Sequence, residues 1–437
     1  MSLTPPIKVG KLQAALHDKA KRAPGYRFHS LYDKICGEEV LRWAWERCRH
    51  NGGAPGVDGQ SFGQIERAGV AEWLGALADE LREKTYRPSA VRRVTIPKSD
   101  GKTRPLGIPT IRDRVAQMAA VIVLEPIFEA DLPDEQVGYR PGRSAHDAIQ
   151  AIHGKLKAGY REVVDADLSG YFDTIPHHEL MKSLARRISD GSMLALVKMW
   201  LEMAVESTDE RGHRQRTTEN KDSGRGTPQG APISPLLSNL YMRRFVEAWK
   251  KTKAKLGHLV VYADDFVILC RRRAGEAREE MERLMTRLKL KVNEKKTRLA
   301  RVPAESFDFL GYTLGRCHRR DGSEYIGSQP SQKSIAAICR EITGLTRRDS
   351  AWMPVEIKVK QLNTRLKGWG NYFCLGSVSR AYGKVDDHAR QRLRQWLKGK
   401  HRSQGNRPRR HPAVCLHHEW GLVELTKRTR NFSWAKA

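Results

Sequence analysis

Two acidic segments place carboxylates where strand ends would bring them together. In Leu259-Val-Val-Tyr-Ala-Asp-Asp-Phe-Val-Ile-Leu-Cys270, Asp264 and Asp265 separate two β-branched runs, the composition of a hairpin with the acids at its turn. Asx residues favour turns on their own account, so this segment taken alone reads as an ordinary Asx turn. A second segment, Glu162-Val-Val-Asp-Ala-Asp-Leu-Ser-Gly-Tyr-Phe-Asp173, changes that reading. Asp165 and Asp167 lie two apart and share one side of a strand. Buried acids need pairing or a cation, and a strand end carrying several suggests Mg²⁺. Asp167 and Asp264, 97 residues apart, could jointly hold two ions about 3.5–4 Å apart. Such a pair activates an attacking 3′-hydroxyl and stabilises a leaving pyrophosphate.

Two more segments fit the same chemistry. Gly226-Thr-Pro-Gln-Gly-Ala-Pro-Ile-Ser-Pro-Leu-Leu-Ser-Asn239 is a Gly/Pro-rich turn running into a helix. Its backbone can approach a nucleotide closely and Gln229 can hydrogen-bond it, although a helix-capping loop has the same composition. Ile96-Pro-Lys-Ser-Asp-Gly-Lys-Thr-Arg-Pro-Leu-Gly-Ile-Pro109 sets Lys98, Lys102 and Arg104 around an Asp-Gly hairpin turn, suited to gripping a triphosphate. Alone it would be a solvated basic hairpin. The agreement of four segments on one reaction is what separates them from four unrelated turns.

The elements that must position these groups follow from periodicity. Residues 39–49, 70–83, 111–128, 235–250 and 276–288 read as helices, and 176–205 as mostly helical. Strands are expected at 91–96, 161–166, 258–261 and 266–270. Beyond Phe307-Asp-Phe-Leu-Gly-Tyr312 the chain reads as largely helical to its end. The simplest division is a mixed α/β first part and an α-helical, basic second part.

Composition restricts the partners. The 437 residues carry 79 Lys+Arg against 50 Asp+Glu, a net charge of +29, which points to a polyanion, most often nucleic acid. Residues 361–437 hold 17 of the bases and 4 of the acids, interleaved with Trp and Tyr, so that region folds and turns one face to phosphate. No run of about 18 apolar residues occurs, which excludes a membrane-spanning helix. The start lacks a hydrophobic signal region, and seven scattered cysteines form no C-x-x-C pair. Reduced thiols in the cytoplasm are the expectation.

Together these segments resemble reverse transcriptases, most closely those encoded by bacterial group II introns. Tyr262-Ala-Asp-Asp265 resembles that family's catalytic tetrapeptide. Leu31-Tyr-Asp-Lys34, Asn51-Gly-Gly-Ala-Pro-Gly-Val-Asp-Gly59, Ile111-Arg-Asp-Arg-Val-Ala-Gln117 and Val137-Gly-Tyr-Arg-Pro-Gly-Arg-Ser-Ala-His-Asp147 are similar to its N-terminal extension and fingers. Arg365-Leu-Lys-Gly-Trp-Gly-Asn-Tyr-Phe373 is similar to its maturase, or thumb, segment. The resemblance implies an α+β right-hand polymerase, with fingers and a palm whose antiparallel sheet bears the aspartates, then a helical thumb. It divides the chain into an N-terminal extension and start of the fingers (1–90), fingers and palm (91–315), a helical thumb/maturase domain (316–400) and a basic C-terminal segment (401–437) with DNA as a candidate partner.

By position, the resemblance makes Asp167, Asp264 and Asp265 the metal-binding triad for two Mg²⁺ ions. Phe172 falls at the bulky residue that excludes a ribose 2′-hydroxyl, and Lys98, Arg104 and Gln229 at contacts to the incoming dNTP. Leu310, Gly311 and Tyr312 fall in the primer grip, after a lysine motif at Glu294-Lys-Lys-Thr297. Arg365, Lys367, Arg392, Arg394, Lys398 and Lys400 are candidate RNA contacts. The implied function is RNA-directed DNA synthesis on an RNA template and DNA primer, joined to maturase binding of intron RNA for splicing and for mobility by target-primed reverse transcription. The alternatives are a splicing cofactor that needs no catalysis, and a host-recruited reverse transcriptase in defence or repair. Without paired C-x-x-C motifs the likeness is to the type lacking a zinc-bearing HNH endonuclease, and Cys415 with His417-His418 is too crowded for a zinc site.

Overall fold

The computed structural model describes residues 3–97, 103–209, 211–319, 321–400 and 413–428. Its organising helix is Ile111–Glu129, buried along nearly its whole length, with only Arg112, Glu125 and Glu129 of its residues half-exposed. Thr110 caps it by accepting the Asp113 amide, and the Asp113 carboxylate accepts from the Tyr86 hydroxyl at 2.6 Å, Thr110 Oγ1 at 2.7 Å and the Ser89 amide at 3.1 Å. Burying a charge without such partners would cost several kcal/mol, on the order of a whole core side chain's contribution. Helices Ile7–Arg22 and Glu38–Asn51 pack against it.

Three sheets are present among the described residues. The first pairs β1 (Val91–Pro97) with β2 (Thr103–Ile108) as an antiparallel hairpin. β3 is Glu162–Ala166; β4 (Val205–Thr208) then runs parallel to β1, with β5 (Arg214–Thr217) outside it. The central sheet has the order β6-β7-β3-β8, all antiparallel, where β6 is His258–Tyr262, β7 Asp265–Cys270 and β8 Arg298–Arg301. Both of its faces are covered. Val164, Ala166, Phe266 and Ile268 enter the main core, while Val163, Val267 and Leu269 enter a second one. Two-sided burial is why these strands read as unbroken apolar runs.

The third sheet, β11-β10-β9, corrects the expectation of helix beyond Tyr312. β9 (Phe307–Phe309), β10 (Tyr312–His318) and β11 (Glu324–Pro330) form it before the first C-terminal helix begins at Gln332. The segment 176–205 is helical at His177–Ala185 and Gly191–Leu201, but its last residue, Val205, opens β4. Helices Gln332–Leu345, Val355–Tyr372 and Ser379–Lys400 share a separate core. Residues 413–428 fold back onto it: Leu416, Leu422 and Leu425 are buried there, and Asp386 accepts the amides of Leu425 at 2.9 Å and Thr426 at 3.0 Å. No helix among the described residues is long and apolar enough to cross a membrane.

Candidate active site

The hairpin β6–β7 closes with Tyr262 paired to Asp265, leaving Ala263 and Asp264 as its turn. Ala263 has φ +59°, an unfavourable conformation for a residue with a Cβ. It is held from outside. Val137 donates its amide to the Val261 carbonyl at 2.8 Å, and Val261 donates to Glu135 at 2.8 Å. Gly138 consequently lies directly on the turn, where a Cβ would collide with the Ala263 nitrogen.

The neighbouring strand β3 supplies the other acids. It pairs with β7 through Ala166 opposite Phe266, so one step further the register sets Asp167 across from Asp265. Asp167 is steered by Asn293, whose Nδ2 donates to Oδ2 at 3.0 Å, and by Lys296 at 3.2 Å. The Asp167 carbonyl accepts the Asn293 amide at 2.8 Å. Asp165 pairs with Arg298 at 3.1 Å. Asp265 keeps an exposed surface, but protein packed around its carboxyl withdraws solvent from the charge. With Asp264, Asp167 and Asp165 adding like charge, it is pushed up to about 7, against the opposing pull of Lys296.

Surplus carboxylate charge of this kind is what a divalent cation relieves, and an all-oxygen donor set suits a hard ion. Among the described residues no group of three His, Cys, Asp or Glu converges tightly enough to enclose a metal without help.

Next to the acids lies a cavity of about 490 Å³, lined by Leu106–Pro109 of the β2 end, Tyr139, Phe172, Gln229, Gly230 and the Asn51–Ala54 loop. Phe172 is buried at its wall, with Tyr139 edge-on at 6.5 Å. Gln229 donates from Nε2 to Asp173 at 3.0 Å, and its carbonyl accepts the Gly107 amide at 2.7 Å. At Gly230 a Cβ would come 2.5 Å from the Gly107 carbonyl, so glycine lets the loop seat against the hairpin. Arg114 ties the Asn51–Ala54 loop in, donating to the carbonyls of Pro109 at 2.9 Å, Gly52 at 3.4 Å and Ala54. Phe172 and Gln229 are thus brought to one place. Lys98 and Lys102 lie outside the described residues, and Arg104 is placed only by its backbone, opposite Ile96.

The remaining expectations divide. Leu310 and Gly311, φ +49° and +79°, form a tight turn before β10. Tyr312 is fully buried: its hydroxyl donates to the Tyr372 carbonyl and accepts the Cys374 amide at 3.1 Å. Its ring serves the joint to the helical region. Arg392, half-buried, donates to Thr346 Oγ1 at 3.1 Å and to the Thr346 carbonyl at 3.0 Å at the end of helix Gln332–Leu345. Lys400, also half-buried, donates to the carbonyls of Ala351 and Met353 at 3.1 and 3.0 Å. Lys367 and Lys398 are exposed; Arg365 is exposed and paired with Glu341 at 2.9 Å, and Arg394 is half-buried. His417 Nδ1 engages the Leu422 carbonyl at 2.7 Å. Asn293, Gly138 and Arg114 were not singled out from sequence, because an amide, a glycine and a core arginine have no meaning until the strands they serve are located.

Comparison with known proteins adds the family. Residues 96–314 match the model for reverse transcriptase (RNA-dependent DNA polymerase), and residues 335–413 the group II intron, maturase-specific domain. Protein YkfC of Escherichia coli (strain K12) is 33% identical over 377 residues, covering 77% of this chain and 96% of its own length. The group II intron-encoded protein LtrA of Lactococcus lactis subsp. cremoris is 26% identical over 441 residues, 80% of this chain and 71% of its own. Among solved structures, a partial Cas6-RT-Cas1–Cas2 complex aligns with 59% of this chain and 42% of its own at 22% identity and a TM-score of 0.35, too loose a likeness to carry an argument.

Proposed function

The chain belongs to the reverse transcriptases that carry a group II intron maturase domain, and from that premise we propose that Asp167, Asp264 and Asp265 form the catalytic centre of its RNA-directed DNA polymerase. The observation that carries this is the register of β3 on β7, which faces Asp167 toward Asp265 beside a hairpin turn that a glycine contact forces into shape. A divalent cation bound there, Mg²⁺ by the donor chemistry and two ions by the reaction's needs, supplies Lewis-acid stabilisation of the phosphoryl group and the leaving pyrophosphate. Everything else is positioning by the chain itself. Asn293 and Lys296 orient Asp167. Gln229, fixed by Asp173 and Gly107, presents its loop to the nascent pair, while Phe172 closes the wall beneath the sugar and Lys98 and Arg104 neutralise the triphosphate.

In this reading the mixed α+β region is fingers and palm, extending to about 315, and the helical region is the thumb and maturase domain. The maturase domain binds intron RNA and the polymerase copies it into DNA. The basic excess, with Lys367 and Lys398 exposed, supports RNA as the partner. The test is primer extension on an RNA template with dNTPs and Mg²⁺. Asp264→Asn is expected to lose at least about 10³-fold in rate while keeping RNA affinity within about twofold. An Asp264→Asn protein that still extends at the wild-type rate would refute the assignment.

A further inference from the structure

A second large cleft, of about 840 Å³, opens between helix Ala145–Lys157, the β10–β11 hairpin and the joint at Leu375–Gly376. None of the acids or cavity residues described above lines it. Arg161, on its rim, stands at the other end of β3 from Asp167. The six residue steps from one to the other span about 20 Å at about 3.3 Å each.

The cleft is built rather than incidental. His153 fixes its helix to the hairpin, its Nε2 lying 3.0 Å from the Ile326 carbonyl. The joint is pressed onto the hairpin as well. The Ser377 amide donates to Ser328 at 2.8 Å, and Gly376, at φ +75°, leaves no room for a Cβ against that same residue. Ile149, Ile326 and Leu375 give an apolar floor, with the Tyr325 ring beside it.

The rim is cationic. Arg316 is matched by Glu324 at 2.8 Å, the only acid lining the cleft among the described residues. Lys157, Arg161 and Arg319 form no ion pair among the described residues, and the Arg319 guanidinium lies 5.4 Å from the Tyr325 ring centre. An apolar floor with an aromatic edge and three cations outside any close ion pair among the described residues matches one ligand chemistry: an unstacked base flanked by phosphodiesters. An acidic peptide would satisfy the cations and leave the floor and ring without a partner.

We propose that this cleft is a second RNA site, which takes a base of a single-stranded segment onto its floor beside Tyr325 and the adjoining phosphates onto Lys157, Arg161 and Arg319. It operates apart from the catalytic carboxylates, so template–primer and a further RNA strand are held at once.

The experiment uses the full chain presaturated with an unlabelled RNA–DNA template–primer hairpin, so that the polymerase cleft is filled. Binding of fluorescent oligo(U) is then followed by anisotropy over a range of salt concentrations. Replacing all three cations (Lys157→Gln, Arg161→Gln, Arg319→Gln) is expected to weaken binding at least tenfold and to flatten the log–log salt slope by about 2, at about 0.7 per phosphate contact. Tyr325→Ala is expected to weaken it at least fivefold with the slope unchanged, since stacking releases no counterions. Primer extension by both variants stays at the wild-type rate, which also certifies that they fold. Unchanged oligo(U) affinity and slope in both variants overturn the proposal. So does polyglutamate that displaces oligo(U) at equal concentration, which would make the cleft a site for acidic peptide. Should Asp264→Asn prove active, the catalytic assignment falls while this test stands.

Discussion

Asp265 and Asp190 show opposite uses of a carboxylate. Asp265 is crowded by its own kind and pushed up to about 7, a state suited to receiving a cation. Asp190 is also raised by burial, but the amides of Leu31, Met193 and Tyr32, the first two at 2.8 and 3.0 Å, outweigh this and hold it below its ordinary 3.8. A depressed native value means that the unfolded chain takes up its proton first as pH falls. The contribution of Asp190 is therefore complete above 3.8 and lost as pH drops through the native value. Asp190→Ala is expected to cost about 2 kcal/mol in urea unfolding at pH 7, with the gap to wild type narrowing below pH 4. A gap that stays constant would show that the charge contributes nothing. Phe172 has a different task. With its wall shortened, Phe172→Val is expected to reduce the preference for dNTP over rNTP in single-nucleotide incorporation by at least about tenfold, and an unchanged preference would remove it from sugar selection.

At the scale of elements, the acids are placed by contacts between segments distant in sequence. The turn of β6–β7 is braced by the segment Glu135–Gly138, whose Gln136 bridges Val261, and the loop of Gln229 is seated on the end of β2. Gly138→Ala puts a methyl group where the Ala263 nitrogen stands, so the turn must move. A displacement of about 1 Å in a catalytic group costs on the order of 100-fold in rate. The expectation is that loss in primer extension, with RNA affinity retained and the melting temperature within a few degrees of wild type. Full activity in Gly138→Ala would show that the turn is not the constraint described here.

At the scale of the whole molecule, the helical region is completed by the segment 413–428. Leu425 is buried against Gly370, and Asp386 holds the backbone beside it. Leu425→Ala is expected to destabilise the helical region by roughly 2–4 kcal/mol, read as faster amide exchange in Gln332–Lys400 with the central sheet unaffected. Exchange that accelerates everywhere would mean that the two regions unfold as one. The basic excess is also a property of this scale, and it divides once folded. Arg392 and Lys400 spend their hydrogen bonds on carbonyls at helix ends, while Lys367 and Lys398 face solvent.

The chemistry was legible in the sequence wherever it depends on local residue order. The Asp-Asp turn between two apolar runs, the spacing of Asp165 and Asp167 on one strand, and the Gly/Pro loop at Gln229 all follow from short-range rules of strand and turn. So do the main helices, whose apolar periods need no partner to be recognised. Only the tertiary structure decided which basic residues are structural, that Tyr312 faces inward, and that three strands precede the C-terminal helices. Each of these depends on what lies across a contact from residues far along the chain. An arginine that caps a helix and one that faces RNA have the same side chain, and burial by a distant segment is what tells them apart.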